Sequence, residues 1–299
     1  MSRHYWGIDL GGTKIEGVIL PSTTTPDPLC RIRLDTEADK GYDHVVGRIC
    51  LLVEQMHQES GLRPEAIGMG TPGMLDTRTH TVKNSNTTCL IGRPLQHDLE
   101  KILNTSFTLA NDANCFALAE ARLGAARGAE TVFGVIMGTG VGGGVVFQDR
   151  ALDGCQGIAG EWGHNVLDPD GPDCYCGRKG CVETFLSGPF LEKYYTAMAG
   201  AALKLPEIVQ RHARGDDPHA RATMTHLTTC FGRALASVIN ILDPHAIVLG
   251  GGVSNIDLLY TEGVREVERH VFNNRLETRI LKNKLGDSAG VFGAAMLVA

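Results

Sequence analysis

The chain has 299 residues, 43% hydrophobic and 21% charged, which is enough globular sequence to bury a sizeable core and to form about two domains. Glycine is high at 37 residues, yet there is no period of three and only 12 prolines, so collagen is excluded. The net charge of −6 disfavours nucleic-acid partners, which demand phosphate neutralisation, and nine cysteines cannot all pair within one chain.

No apolar run approaches the ~18 residues of a membrane span, so no membrane partner is expected. The opening Met1-Ser2-Arg3-His4-Tyr5-Trp6 lacks signal-peptide organisation, and the cytosol is the expected compartment.

Tyr5–Leu10 and Ile15–Leu20 read as two strands of a hairpin turning at Gly11-Gly12-Thr13. Pro21–Pro28 reads as a loop and Arg31–Thr36 as a strand. Val45, Val46, Ile49, Leu52, Val53 and Met56 follow helical spacing, which predicts an amphipathic helix over Tyr42–Glu59. Ala66–Met69 is a short strand, Pro94–Leu103 a helix, Phe107–Ala110 a strand, and Asn114–Leu123 a helix behind an Asn-Asp start signal.

The opening pattern then returns. Val132–Met137, a glycine turn over Gly138–Gly144 and a strand over Val145–Phe147 form a second hairpin, with Gly7, Gly11 and Gly17 falling on Gly134, Gly138 and Gly144. A weak internal duplication suggests two similar halves with a site between them. Pro218–Leu242 reads as one long helix, Ala246–Leu249 as a buried strand, Gly250-Gly251-Gly252 as a turn and Ala289–Leu297 as a small-residue closing helix. Strands alternating with helices give an α/β class. The expected division is an N-terminal α/β domain over 1–120, to which part of the C-terminal helix can return, and a C-terminal α/β domain over 121–299.

Two stretches match G-x-G-x-x-G, at Gly138, Gly140 and Gly143 and at Gly68, Gly70 and Gly73. A dinucleotide fingerprint needs a strand before and a helix after; a strand follows the first match and no periodic helix the second, so that reading is rejected. The glycine hairpins can instead cradle phosphate oxygens with backbone N–H groups. Asp9 could hold a divalent cation beside them and Lys14 could add a point charge. Asn111-Asp112-Ala113-Asn114 joins a strand end to a helix start. Asp112 fits either a general base or an ordinary helix cap, and the residues alone do not choose.

Cys174-Tyr175-Cys176-Gly177-Arg178-Lys179-Gly180-Cys181 sets three thiols within eight residues. Thiolates favour Zn²⁺, which wants four tetrahedral ligands, and His164 upstream supplies the fourth, giving a closed structural Cys₃His site. The remaining cysteines (Cys30, Cys50, Cys89, Cys115, Cys155, Cys230) read as small buried hydrophobes. Glu161 and Glu183 bracket the knuckle, where rigid carboxylates can accept bonds from sugar hydroxyls; solvated surface glutamates are the usual alternative.

Together these residues resemble the ROK family of bacterial sugar kinases and sugar-responsive repressors. The resemblance runs from Gly7-Ile8-Asp9-Leu10-Gly11-Gly12-Thr13-Lys14 to Gly290-Val291-Phe292-Gly293-Ala294-Ala295 and includes Glu161-x-Gly163-His164 and Cys174-x-Cys176-Gly177-x-x-Gly180-Cys181-x-Glu183. It implies an actin-like, ribonuclease H-like fold of two α/β domains around a central ligand cleft, and a homodimer. ATP phosphates would lie on Gly7–Lys14 and on Gly138-Thr139-Gly140-Val141-Gly142-Gly143-Gly144-Val145, with Mg²⁺ beside them and the adenosine near Gly251 and Gly252. The sugar would meet Asn86, Asn111, Asp112, Glu161, His164 and Glu183. Asp112 would be the catalytic base, and His164 would serve both Zn²⁺ and sugar.

Within the family, Val82-Lys83-Asn84-Ser85-Asn86, Leu109–Cys115, Glu161–Asn165 and Cys174–Gly188 look most like bacterial fructokinases of the manno(fructo)kinase type. The expected reaction is therefore ATP-dependent phosphorylation of a hexose at the 6-hydroxyl, with D-fructose first and mannose beside it. N-acetylglucosamine or glucose is the alternative. A repressor is disfavoured because only eight residues precede Asp9, leaving no DNA-binding domain.

Overall fold

The computed structural model describes residues 3–299; Met1 and Ser2, which begin the amino-terminal stretch read above, lie outside the described residues. Strands β1 (Tyr5–Leu10), β2 (Lys14–Leu20) and β3 (Cys30–Asp35) form an antiparallel meander. Strand β4 (Ala66–Thr71) pairs parallel to β1. A small ladder of β5 (Met74–Leu75) and β6 (Val82–Lys83) precedes β7 (Ser106–Asn111), which pairs parallel to β4. The first sheet thus runs β3-β2-β1-β4-β7.

The second sheet holds β8 (Thr131–Met137), β9 (Val141–Phe147), β10 (Arg150–Ala151), β11 (Ala246–Gly250) and β12 (Arg279–Lys282), in the order β10-β9-β8-β11-β12. Position for position this repeats the first sheet, the structural counterpart of the repeated glycine hairpin.

The helices are α1 (Tyr42–Ser60), α2 (Leu95–Leu103), α3 (Asp112–Arg122), α4 (Glu183–Leu186), α5 (Gly188–Ala199), α6 (Leu205–Arg214), α7 (Pro218–Leu242), α8 (Glu262–His270) and α9 (Ala289–Met296). Two compact units result. Unit 1 takes the chain through Gly128, then Gly144–Ala159 and Lys284–Ala299; unit 2 takes Ala129–Gly143 and Gly160–Asn283.

In unit 1, α1 turns its periodic face inward and buries Val45, Val46, Ile49, Leu52, Val53 and Met56 beneath β2 and β3. Each such side chain contributes about 1.5–3 kcal/mol on leaving water. Gly61 ends the helix in the left-handed region at φ 69°, with its N–H on His57 O at 2.8 Å.

Helix α9 is apolar and small because it lies directly on backbone. A Cβ at Gly68 would stand 1.8 Å from Ala294 O, and one at Gly7 would stand 2.5 Å from Ala295 N. The entry to α9 is held by Glu120, a fully buried carboxylate on α3. It accepts N–H groups from Ala125 at 2.8 Å, Lys284 at 3.0 Å and Leu285 at 2.8 Å.

In unit 2, α7 spans the predicted range. Asp217 caps it, accepting from His219 at 2.9 Å and Ala220 at 3.0 Å, and Pro218 fills a first-turn position where no donor is needed. The shorter α5, α6, α8 and β12 were not expected from the sequence. Helices α6 and α8 are only 10 and 9 residues long and bury two residues each, Leu205 with Ile208 and Gly263 with Val267, so their apolar stripe is too brief to follow along the sequence.

All nine cysteines are free. Outside the knuckle, Cys30, Cys115 and Cys230 are buried as expected and Cys50 and Cys89 half-buried. Cys155 is exposed, a correction to the expectation that all six are core residues; it lies in a loop that offers no apolar partner layer. Among the described residues no helix is long and apolar enough to cross a membrane.

Candidate functional site

In unit 1 the first glycine turn is exposed at Gly12, Thr13 and Lys14 and closed by Gly11 N–H to Lys14 O at 2.9 Å. The buried Thr36 fixes it from β3's side: its hydroxyl donates to Gly11 O at 2.7 Å and its N–H to Thr13 O at 2.8 Å. Gly7, Ile8 and Leu10 are buried in the strand, whereas Asp9 is half-buried.

Glycines flank the Asp9 carboxylate. A Cβ at Gly290 would stand 2.7 Å from Oδ2, and one at Gly70 would stand 3.3 Å from Oδ1. This cradle keeps the carboxylate clear of side chains, which suits an oxygen ligand of Mg²⁺. Burial, then the charges of Asp112 and Glu16, push the Asp9 carboxyl up to about 7, and Arg33 draws it down.

Asn111 ends β7 and caps α3. Its Oδ1 accepts the Ala113 N–H at 2.8 Å and its Nδ2 donates to Gly73 O at 3.1 Å, so the amide is engaged at both ends. Asp112 begins α3, and its Oδ1 also accepts from Ala113 at 2.8 Å. Solvent reaches the Asp112 side chain, yet the surrounding protein desolvates it and raises its carboxyl pKa against the pull of the backbone N–H groups. Helix capping and proton acceptance are therefore compatible here: the capping bond uses one oxygen. Asn86 is exposed between the buried Ser85 and Thr87, where Ser85 Oγ accepts the Thr87 N–H at 3.1 Å.

In unit 2 the second turn is shorter than the sequence reading. It comprises Gly138-Thr139-Gly140, closed by Gly138 N–H to Gly140 O at 2.9 Å, while Val141 through Val145 belong to β9. Gly143 is a glycine for packing: a Cβ there would meet Gly160 O at 2.7 Å and the Trp162 ring at 2.8 Å. Gly251, at φ 79°, lies against Met137 O, so the Gly250–Gly252 turn abuts the strand that enters this hairpin.

The segment Glu161–His164 lies along β9. Trp162 donates from Nε1 to Gly142 O at 3.0 Å, and a Cβ at Gly163 would stand 2.0 Å from Val141 O. Trp162 and Thr36 are supporting residues that the sequence reading missed; nothing local marks Thr36, but the Gly163 requirement explains why an aromatic and a glycine stand between Glu161 and His164. Glu183, at the start of α4, accepts the Val141 N–H at 2.9 Å.

His164, Cys174, Cys176 and Cys181 come together, one ligand atom from each lying within 4.8 Å of all the others. His164 Nδ1 is 3.6 Å from Cys174 Sγ, and Cys176 Sγ is 3.6 Å from Cys181 Sγ. A tetrahedral zinc would require about 3.6 Å for N–S and about 3.8 Å for S–S edges, so the donor set fits. His164 Nε2 lies 3.1 Å from the Tyr175 hydroxyl, an outer partner that orients the ring. Gly180, at φ 64°, presses against Asp168 O and lets the knuckle fold.

The chain matches the ROK family over residues 5–299. It is 38% identical to a protein named N-acetyl-D-glucosamine kinase from Photobacterium profundum, over 98% of each chain. It is 37% identical to one of the same name from Aliivibrio fischeri, again over 98% of each. The fold aligns with a ROK hexokinase from Thermus thermophilus at TM-score 0.88 and 35% identity, covering 98% of this chain and 97% of that one. A ROK family glucokinase from Streptomyces griseus, crystallised in complex with glucose and AMPPNP, aligns at TM-score 0.79 and 30% identity over 99% of each. The actin-like, ribonuclease H-like α/β class expected from the sequence is the fold observed.

Proposed function

The chain belongs to the ROK family and is a sugar kinase, and on that premise we propose that it transfers the γ-phosphoryl group of ATP to the 6-hydroxyl of N-acetyl-D-glucosamine. The observation that carries the sugar is the 36–38% identity, over 98% of this chain, to relatives named for that activity. D-fructose, placed first by the sequence, becomes the second reading; Val82–Asn86 favour it by their likeness to fructokinases.

In this reading the Asp112 carboxylate takes the proton from O6 as O6 bonds to the γ-phosphorus and ADP leaves. Backbone N–H groups of the turns at Gly11–Thr13 and Gly138–Gly140 hold phosphate oxygens, and Gly251 and Gly252 border the adenosine. Asp9 would hold Mg²⁺, which would supply neutralising charge to the phosphates. Asn86, Asn111, Glu161, His164 and Glu183 are assigned to the sugar hydroxyls. Zn²⁺ held by His164, Cys174, Cys176 and Cys181 would keep the knuckle folded.

An ADP-release assay across N-acetyl-D-glucosamine, D-fructose, mannose and glucose tests the reading. The expected outcome is the highest kcat/KM with N-acetyl-D-glucosamine; preference for D-fructose would overturn it in favour of the second reading.

A further inference from the structure

Glu183 stands two residues beyond Cys181, the last thiol of the cluster. Its side chain is buried, and its Oε2 accepts the Val141 N–H at 2.9 Å. A Cβ at Gly140 would come within 2.7 Å of the same oxygen, so the glycine lets the turn lie against the carboxylate. Farther along, the Gly188 N–H donates to Gly138 O at 2.8 Å. Both ends of the Gly138–Val141 turn are thereby fastened to one stretch, 181–188, whose first residue is a cluster thiol. The turn's own bond from Gly138 to Gly140 sets its shape, and the bonds from 183 and 188 set its position.

We propose that Glu183 is a positioning residue for the nucleotide, holding the Gly138–Val141 turn to the Cys/His cluster so that nucleotide affinity depends on an intact cluster. The proposal rests on the reading of that turn as a phosphate site. A carboxylate bonded to a backbone N–H is a charge-assisted brace, and its loss would leave the Val141 donor unsatisfied in a buried place. This role is separate from a contact with the sugar, which would leave nucleotide affinity unchanged when Glu183 is altered.

The test is calorimetric binding of AMPPNP with Mg²⁺ to the whole chain, with zinc content measured on the same samples. Glu183→Ala should weaken AMPPNP binding about tenfold or more while retaining its metal. Glu183→Gln keeps an acceptor for Val141 and should stay within about threefold of wild type. Chelating the metal from the wild-type protein should weaken AMPPNP binding as the alanine variant does. Gly138→Val serves as the control: its Cβ would meet no protein atom closer than Gly252 N at 4.0 Å, so the added side chain enters the space that the reading gives to the nucleotide. If it weakens AMPPNP binding and Glu183→Ala does not, the brace is overturned; if it has no effect, the phosphate-site reading fails instead. Metal loss from Glu183→Ala would also overturn the proposal, since the effect would then be collapse of the cluster.

Discussion

Asp9 and Glu16 face each other directly across the β1–β2 ladder, and Glu16 in turn faces Arg33 across β2–β3. Like charges directly opposite are unfavourable in a sheet, and two arginines offset the pair. Arg33 binds Glu16 Oε2 at 2.9 Å, and Arg31 bonds to Oε1 while reaching Ser288 Oγ at 2.6 Å. A half-buried acid is thus kept beside a second acid, and only the charge on Arg33 draws it toward ionisation.

That arrangement costs stability in a definite pH window. With Asp9 raised from 3.8 to about 7, the folded protein binds more protons than the unfolded chain between those values, so the contribution of Asp9 falls as pH rises through them. Asp9→Asn should raise Tm at pH 8 by roughly 2–4 °C, an effect on the order of 1 kcal/mol, and change it little at pH 4. Thermal melts at both pH values check this; an equal shift at both would refute the linkage.

Asp112→Asn keeps the shape and the capping oxygen of α3 but cannot take a proton. Turnover should fall about 10²–10⁴-fold with sugar KM nearly unchanged. Steady-state kinetics decide it, and near-wild-type turnover would remove Asp112 as the base.

Elemental analysis of fresh, unchelated protein should find about one zinc per chain, and Cys181→Ser should lose it with a clear fall in Tm. Wild-type protein without stoichiometric zinc would refute the Cys₃His assignment.

Two glycines give a paired test of packing. Gly68→Ala drives a methyl against Ala294 O and should cost about 2–3 kcal/mol. Gly47→Ala, in α1 with nothing within 4 Å of its Cβ, should be neutral or stabilise by about 0.5–1 kcal/mol. Denaturant melts of both variants compare them; equal effects would contradict the close approach of α9.

Elements with long, strong periodicity were legible in the sequence: α1 and α7 lie where spacing puts them, and β1 and β2 begin or end within a residue of expectation. The knuckle was legible because its ligands are close along the chain, with His164 ten residues from Cys174. What a single strand cannot disclose is which residue lies across from it. Glu16 and Arg33 act on Asp9 only through register, and Thr36 acts on Gly11 only after β3 returns. Nor does a glycine run distinguish turn from strand: Gly142, Gly143 and Gly144 looked like turn residues yet lie in β9, where a Cβ at Gly143 or Gly144 would meet neighbouring backbone within 2.7 Å. The choice of sugar was the least legible: the stretch it was read from, Val82–Asn86, lies in a two-residue strand and a loop, which carry no periodicity to read.

Unit 1 begins the chain and is closed by its last segment, Lys284–Ala299, through Glu120 and the glycine faces of β1 and β4. During synthesis the first sheet therefore emerges long before the helix that seals it. At about 5–20 residues per second the wait lasts on the order of ten seconds. Throughout that interval the strand surface meant for α9 is bare, and Glu120 lacks the donors at Lys284 and Leu285. Late sealing is thus a hazard written into the chain order: the sheet must keep an uncovered apolar face from other chains until its own last helix arrives.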